Sequence, residues 1–112
     1  MKKTEKPKSK NTQEEEPLIE FKGFLSFFVL HELSKKSLCG DDLALIIGKR
    51  KKDKLTPGTI YPTLKKLRKL KLLKFKRDGR KKNYYLTDQG KNELEKLYKT
   101  IKHYFKGVKN KI

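Results

Sequence analysis

A run of sixteen residues, LTPGTIYPTLKKLRKL at positions 55–70, constrains the fold more than any other part of this chain. Its apolar residues Ile60, Leu64 and Leu67 recur at spacings of three and four, which predicts a helix with one buried face. At about 100° per residue, most of the lysines of the run fall on the opposite face. The chain is therefore expected to build a helix that buries one side and presents positive charge on the other.

Two prolines limit where this helix begins. With Thr56 as the N-cap, Pro57 takes the favoured first position, but Pro62 then lies in the interior and lacks its amide hydrogen bond. With Thr59 as the N-cap, Pro62 falls in the first turn, where no amide needs a partner. We favour the second alternative. Under both, Gly58 leaves the beginning of the helix without a bulky side chain.

Positive charge is concentrated around this helix. The 112-residue chain has a net charge of +18, and residues 49–83 hold sixteen Lys and Arg against Asp53 and Asp78, a net of +14. A field of that density attracts a polyanion, with nucleic acid as the first interpretation and an anionic membrane surface as the second. A solvated lysine surface, as in some heat-adapted proteins, is the remaining interpretation.

Apolar periodicity divides the rest of the chain into three regions. Residues 1–17 have no apolar period and are predicted to form a disordered arm that carries both positive and negative side chains. Two helices, over 18–36 and 37–52, precede the basic helix, and the domain they begin is predicted to extend over 18–87. Residues 88–112 are predicted to form one C-terminal dimerisation helix.

A β-hairpin is predicted directly after the basic helix. The Asp-Gly pair at 78–79 is a strong signal for a two-residue turn between alternating apolar and charged residues. Pairing across that turn places Phe75 opposite Lys82 and Leu73 opposite Tyr84. The predicted fold class is thus mainly α with a small β-hairpin.

The first and last helices carry more apolar surface than one small domain can cover. The first is apolar on two faces, and the apolar face of the last runs for about 14 residues, roughly 21 Å. We therefore predict a homodimer that packs these helices against their copies. Aromatic residues there could also line a pocket for a small-molecule effector, although core packing is their commoner role. The predicted dimer interface comprises Phe21, Leu25, Phe28, Leu94, Leu97, Tyr98, Ile101, Tyr104, Phe105 and Val108.

The order helix, helix, helix, hairpin, helix is that of a winged helix-turn-helix, with the hairpin as the wing. The sequence also resembles the PadR-type winged-helix transcriptional regulators. The matching residues are Tyr61-Pro62 with Leu64 and Leu67, followed by YYLT at 84–87 and then by Gly90. A single helix after the wing is similar to the compact branch of that family.

The resemblance covers about residues 20–105 and implies a dimer that binds a palindromic operator, usually as a repressor. Such regulators dimerise through their first and last helices, and many are released by a small molecule. Two positions depart from the family pattern. Asp41 follows Gly40 where an aromatic residue is usual, and Lys71 stands where glycine is usual. A left-handed lysine there would cost on the order of 1 kcal/mol.

The predicted DNA contacts lie on the basic helix and at the tip of the wing. Threonines would donate to base edges or phosphates, lysines and arginines would contact phosphates, and Pro62 would touch a thymine methyl group. Tyr61 would either reach the sugar-phosphate backbone or pack at the edge of the core. The predicted set is Thr56, Thr59, Tyr61, Pro62, Thr63, Lys65, Lys66, Lys69, Arg77, Arg80, Lys81 and Lys82.

Several other functions are not expected from this sequence. One cysteine and two histidines cannot form a disulfide framework or a metal site by themselves, and no nucleophile–base pair or phosphate-binding loop indicates an enzyme or a cofactor. No apolar run approaches the roughly 18 residues of a membrane span, so a cytoplasmic, nucleoid-associated protein is expected. The alternative function is a winged-helix module that binds nucleic acid non-specifically or serves as a protein adaptor.

Overall fold

The computed structural model describes residues 23–51 and 55–112, so Phe21 and the predicted N-terminal arm lie outside the described residues. A mainly α-helical chain with a small antiparallel sheet is observed, as the sequence predicts. The elements in chain order are α1 (Phe24–Leu33), β1 (Leu38–Cys39), α2 (Gly40–Lys51), α3 (Pro57–Lys69), β2 (Leu73–Asp78), β3 (Lys81–Leu86), α4 (Asp88–Tyr104) and a short 3-10 helix (Lys109–Lys111).

One hydrophobic core holds these elements together. The predicted stripe of α3, Ile60, Leu64 and Leu67, is fully buried in it. Each such side chain contributes roughly 1.5–3 kcal/mol through the area it removes from water. The largest fully buried side chains are Val29, Leu30, Leu43, Ile47, Ile60, Leu64 and Leu73.

The start of α3 differs from the favoured prediction. The helix begins at Pro57 with Thr56 as the N-cap, and Pro62 lies inside it. The amides of Thr59 and Ile60 both donate to the Thr56 carbonyl, at 3.0 and 3.2 Å, so the first turn is already closed before Pro62. Pro62 removes only the bond to the carbonyl of Gly58, and that residue is exposed, so water can replace the missing donor.

Two helices are shorter than predicted. α4 ends at Tyr104, whereas the sequence analysis extended it to the end of the chain. Gly107 adopts a left-handed conformation with φ 84°, and such a residue after the last turn is a common way to end a helix. α1 ends at Leu33 rather than at residue 36, with Ser34 as its C-cap.

The hairpin register is shifted by two residues from the prediction. The turn consists of Gly79 and Arg80, so Phe75 pairs with Tyr84 and not with Lys82. Gly79 has φ 64°, and glycine at the first central position is typical of a type II′ turn. A shift of two leaves every side chain on its predicted face. The register is Leu73 with Leu86, Lys74 with Tyr85, Phe75 with Tyr84, Lys76 with Asn83, Arg77 with Lys82, and Asp78 with Lys81.

A third strand completes the sheet. β1 pairs antiparallel with β3, Leu38 opposite Tyr84 and Cys39 opposite Asn83, which gives the order β1-β3-β2. Two residues are too few to show an alternating pattern, so the sequence analysis did not find this strand. Cys39 is buried and free within it, as expected for a small hydrophobic residue.

The end of α3 forms a Schellman motif around a lysine. The amide of Leu72 donates to the Leu67 carbonyl at 3.0 Å, and that of Lys71 donates to the Arg68 carbonyl at 2.9 Å. Lys71 is left-handed with φ 64°, and it is the position at which the resemblance described above implies glycine. The chain therefore carries the conformational cost that the sequence predicted.

Lys71→Gly should stabilise the protein by about 1 kcal/mol, because glycine adopts this backbone conformation without a Cβ penalty. Urea unfolding should show a higher midpoint with an unchanged slope. Lys71→Ala is the matched control, since it removes the charge and keeps the Cβ. Equal midpoints for the two variants would contradict the backbone explanation.

A buried carboxylate joins α1 to α2. The Glu32 side chain accepts two hydrogen bonds from Arg50, at 2.8 and 3.1 Å, and pairs with Lys35 at 3.3 Å. Burial alone would raise the pKa of Glu32, but the hydrogen bonds from Arg50 and Lys35 outweigh it and lower the pKa. The sequence analysis did not identify this cluster, because an isolated glutamate in a helix looks like a surface residue.

A second polar contact joins α1 to α4. The Nδ1 atom of His31 lies 2.6 Å from the Tyr98 hydroxyl, and Phe27 packs against both rings. Burial lowers the pKa of His31, and Lys35 and Arg50 lower it further. The protonated form of His31 is therefore disfavoured in the folded protein. The lowered pKa values of His31 and Glu32 change the stability in acid in the same direction.

Acidification should destabilise the fold in two steps. The unfolded chain binds more protons than the native state below pH 6.5 at His31 and below pH 4.5 at Glu32. The free energy of unfolding therefore rises with pH through both ranges, and this stability is lost as the pH falls through them. Urea unfolding at pH 7, 5.5 and 4 measures this dependence. His31→Gln should remove the first step and leave the second, and an unchanged first step would contradict the assignment to His31.

None of the helices in the described part of the chain is long and apolar enough to cross a membrane.

Candidate nucleic-acid interface

The face of α3 opposite its buried stripe is open to solvent. No acidic residue occurs between positions 55 and 77, while eight Lys and Arg do, and the last turn of the helix is basic. Thr63 is half-buried on one flank. The exposed members of the predicted contact set on this helix and at its N-cap are Thr56, Thr59, Tyr61, Pro62, Lys65, Lys66 and Lys69.

Tyr61 packs at the edge of the domain, which is one of the two roles predicted for it, and part of its side chain stays exposed. Its ring packs on the beginning of α2, where a Cβ added to Gly40 would lie 2.7 Å from the Tyr61 ring. Burial raises the pKa of Tyr61, and the nearby Asp41 carboxylate raises it further. The side chain is nevertheless 43% exposed, so its free edge still belongs to the α3 surface. Gly40 is needed because the ring occupies the space of a side chain.

Gly58 has no such packing reason to be glycine. A Cβ built at Gly58 would meet only the Thr56 hydroxyl oxygen, at 3.6 Å, which is an ordinary contact. Glycine within a helix costs roughly 0.5–1 kcal/mol relative to alanine, and nothing in the described chain offsets this. The space beside Gly58 is therefore open to solvent at the beginning of α3.

The wing presents its predicted cations in two ways. Arg77, Arg80 and Lys81 are exposed at the tip, whereas Lys82 is half-buried with its ammonium 4.9 Å from the centre of the Phe75 ring. On the outer face of the wing, Lys76 lies 5.9 Å from the Tyr85 ring.

The wing and α3 meet at Phe75. The Arg68 guanidinium lies 4.6 Å from the centre of that ring, which connects the helix to β2 directly. Arg68 is not among the DNA contacts predicted from the sequence. Its position four residues after the buried Leu64 places it on the flank of α3 that faces the sheet, and that spacing could have identified it.

The predicted dimer residues occupy three different environments. Leu94 is 3% exposed within one chain, where its side chain is part of the core. Four others, Leu25, Phe28, Leu97 and Tyr98, are partly buried against that same core. Ile101 and Phe105 are half-buried, while Tyr104 and Val108 are exposed, Tyr104 by 73%.

Phe105 lines an open groove of about 880 Å³ at the end of α4, together with four lysines and His103. Among residues 23–51 and 55–112, no three His, Cys, Asp or Glu side chains are grouped so that they could hold a metal ion.

Comparison with solved structures supports a common fold. A PadR-like transcriptional regulator from Bacillus cereus strain ATCC 14579 is 29% identical, with a TM-score of 0.72 over 80% of this chain and 91% of that one. A PadR family transcription regulator from Clostridium difficile R20291 is 28% identical, with a TM-score of 0.64 over 80% and 97%. A Streptococcus mutans UA159 protein is 30% identical, with a TM-score of 0.62 over 71% and 77%.

Comparison of the sequence with protein-family models identifies the family of this chain. No curated protein matches it significantly. The model of the transcriptional regulator PadR-like family, however, matches residues 29–96, from the middle of α1 to the middle of α4 and including all of α3 and the wing. Members of this family are transcriptional regulators and not enzymes, in agreement with the sequence analysis. The chain belongs to the PadR-like family of transcriptional regulators.

Proposed function

We propose that this protein is a homodimeric repressor that binds specific sequences in double-stranded DNA. The observation that carries the proposal is the exposed face of α3, which combines lysines with a glycine that the protein's own packing does not require. The start of α3 would enter the major groove, and the wing would lie along the adjacent backbone. Such a protein would act on the nucleoid in the cytoplasm.

The chemistry of this face fits DNA. The amide end of a helix carries partial positive charge, and residues near it are short: Thr56, Pro57, Gly58 and Thr59. Threonine hydroxyls near that end would contact base edges or phosphates, while Lys65, Lys66 and Lys69 would neutralise phosphates farther along. The wing cations would contact the backbone or the neighbouring minor groove.

A homodimer would bind a DNA site that has two-fold symmetry. A winged-helix dimer places its recognition helices about 34–36 Å apart on one side of the duplex, which is one turn of DNA. Exposed apolar side chains at the end of α4, Tyr104 and Val108, support contact with a second copy there. The same interface would hold a small-molecule effector, if the regulator responds to one.

The second candidate is non-specific binding of nucleic acid, or an adaptor role. Its support is the excess of lysine, since lysine–phosphate contacts give affinity without sequence preference. Competition between a selected duplex, random duplex and RNA at about 0.15 M salt separates the candidates. Equal competition by all three would favour the non-specific function.

Selection of bound sequences from random duplex DNA tests the principal proposal. A two-fold symmetric site should be enriched, with half-sites one helical turn apart. A pool that remains random after selection, although the protein binds it, would contradict sequence specificity. Enrichment of a single half-site by a monomer would contradict the dimer.

Gly58→Ala should separate DNA binding from folding. An alanine methyl group fits the free protein, so stability should be unchanged or rise by up to about 1 kcal/mol. Affinity for the selected duplex should fall by about tenfold or more, because the methyl group takes the space of the approaching DNA. Thermal unfolding and duplex titration measure the two effects, and undiminished affinity would remove Gly58 from the interface.

A further inference from the structure

Three cations surround one aromatic ring where α3 meets the wing. Arg68 of α3 lies 4.6 Å from the centre of the Phe75 ring, Lys82 of β3 lies 4.9 Å from it, and Arg77 of β2 lies 6.0 Å from it. These residues come from three different elements, so the fold, and not a local run of basic residues, brings their charges together.

The strand register explains why the ring collects these charges. Phe75 pairs with Tyr84, and the two rings are 5.6 Å apart, while Arg77 and Lys82 form the next pair on the same face toward the tip. Since side chains on one strand alternate between faces, Phe75, Arg77 and Lys82 all lie on the face that Arg68 contacts. The result is a cluster of three cations, from one helix and two strands, around one aromatic ring.

No ion pair within the described part of the chain balances the charge of this cluster. The ion pairs recorded among the described residues both involve Glu32, which lies on α1. One aromatic ring has two faces for cations, and gathering three positive groups around it adds repulsion between them. An anion bound between the cations would relieve that repulsion. The Phe75 ring would keep the three cations in place around the anion.

We propose that Arg68, Arg77 and Lys82, held by Phe75, form a phosphate-binding site between α3 and the wing, which takes one backbone phosphate of a DNA duplex. A phosphate group offers several acceptor oxygens, and guanidinium groups match them with paired N–H donors. Phe75 is a positioning residue, because its contact with Arg68 restricts the side chain before DNA arrives. Arg68 thereby becomes a DNA contact that the helix pattern alone did not assign.

The proposal rests on the proposed function, and salt dependence tests it separately. Duplex affinity is measured over a range of salt concentrations for the wild type, Arg68→Gln, Arg68→Lys and Lys96→Gln. The slope is that of the logarithm of the binding constant against the logarithm of the salt concentration. Loss of one phosphate contact in Arg68→Gln should flatten this slope by about 0.9. Arg68→Lys should keep the slope and bind several-fold more weakly, because lysine lacks the planar fork. Lys96→Gln is the control on the exposed side of α4 and should match the wild type.

The outcomes distinguish the two proposals. A wild-type protein that binds no duplex would defeat the proposed function. A wild type that binds while Arg68→Gln keeps its full slope would defeat only the phosphate site. Titration of the protein alone with inorganic phosphate, followed at the NMR signal of the Arg68 side-chain N–H, identifies the source of the phosphate. No saturable shift is expected, and a saturable one would assign a free anion in place of the DNA backbone.

Discussion

Replacing Gly90 with alanine should destabilise the protein by about 3 kcal/mol or more, which corresponds to a fall in Tm of roughly 15 °C for a domain of this size. A Cβ at Gly90 would lie 2.1 Å from the Leu72 carbonyl oxygen. That atom belongs to the backbone and already accepts a hydrogen bond from the Thr87 amide at 3.1 Å, so it cannot move without loss. The first turn of α4 would have to separate from the end of α3.

Gly58→Ala provides the matched control for this prediction, because it also places a methyl group in the first turn of a helix. Its Cβ meets only one side-chain atom, at 3.6 Å, and no destabilisation is expected there. Both variants are compared by thermal unfolding followed by circular dichroism. A Gly90→Ala protein with the wild-type Tm would show that α4 can shift by an ångström without cost, which would contradict the close backbone packing at this position.

A variant with alanine at Lys65, Lys66, Arg80 and Lys81 should lose most of its affinity for duplex DNA. Each phosphate contact contributes about 0.9 to the log–log dependence of binding on salt, so four losses should flatten the slope by about 3 to 4. If the wild-type and variant lines converge near 1 M salt, affinity at about 0.1 M salt should fall by about 10³-fold. Fluorescence titration over a series of salt concentrations measures both quantities.

The charge of the whole protein must be controlled in that experiment. A second variant carries alanine at Lys91, Lys96, Lys99 and Lys102, four exposed lysines of α4, and has the same net charge as the first. Its slope should stay near that of the wild type. Equal slopes for the two variants would indicate that binding depends on overall charge, as in the non-specific alternative, and would remove α3 and the wing as the specific surface.

Periodic patterns predicted the elements of the fold well. The spacing of Ile60, Leu64 and Leu67 predicted the buried side of α3, and the Asp-Gly pair at 78–79 predicted the hairpin. These features depend on residues close together in the chain, where helix and strand geometry alone determine which side chains share a face. The family resemblance rested on two local segments of this kind, at 61–67 and at 84–90.

The details that sequence did not predict depend on contacts between distant parts of the chain. The two-residue strand β1 exists because Leu38 and Cys39 pair with β3, more than forty residues later. Arg68 reaches Phe75 only because β2 folds back beside α3. The start of α3 at Pro57 differs from the favoured prediction for another reason: the fit of proline at the first helical position outweighs the loss of one backbone hydrogen bond at Pro62.

Three successive carbonyls at the end of α3 are bound by the beginning of α4. The Gln89 side chain donates to Leu70 at 3.5 Å, the Thr87 hydroxyl donates to Lys71 at 2.7 Å, and the Thr87 amide donates to Leu72. The Thr87 hydroxyl also accepts a hydrogen bond from the Gly90 amide at 3.0 Å, so this one side chain is bonded to the end of α3 and to the first turn of α4. Because these bonds join the two helices directly, a change in the tilt of α4 would be transmitted to the end of α3.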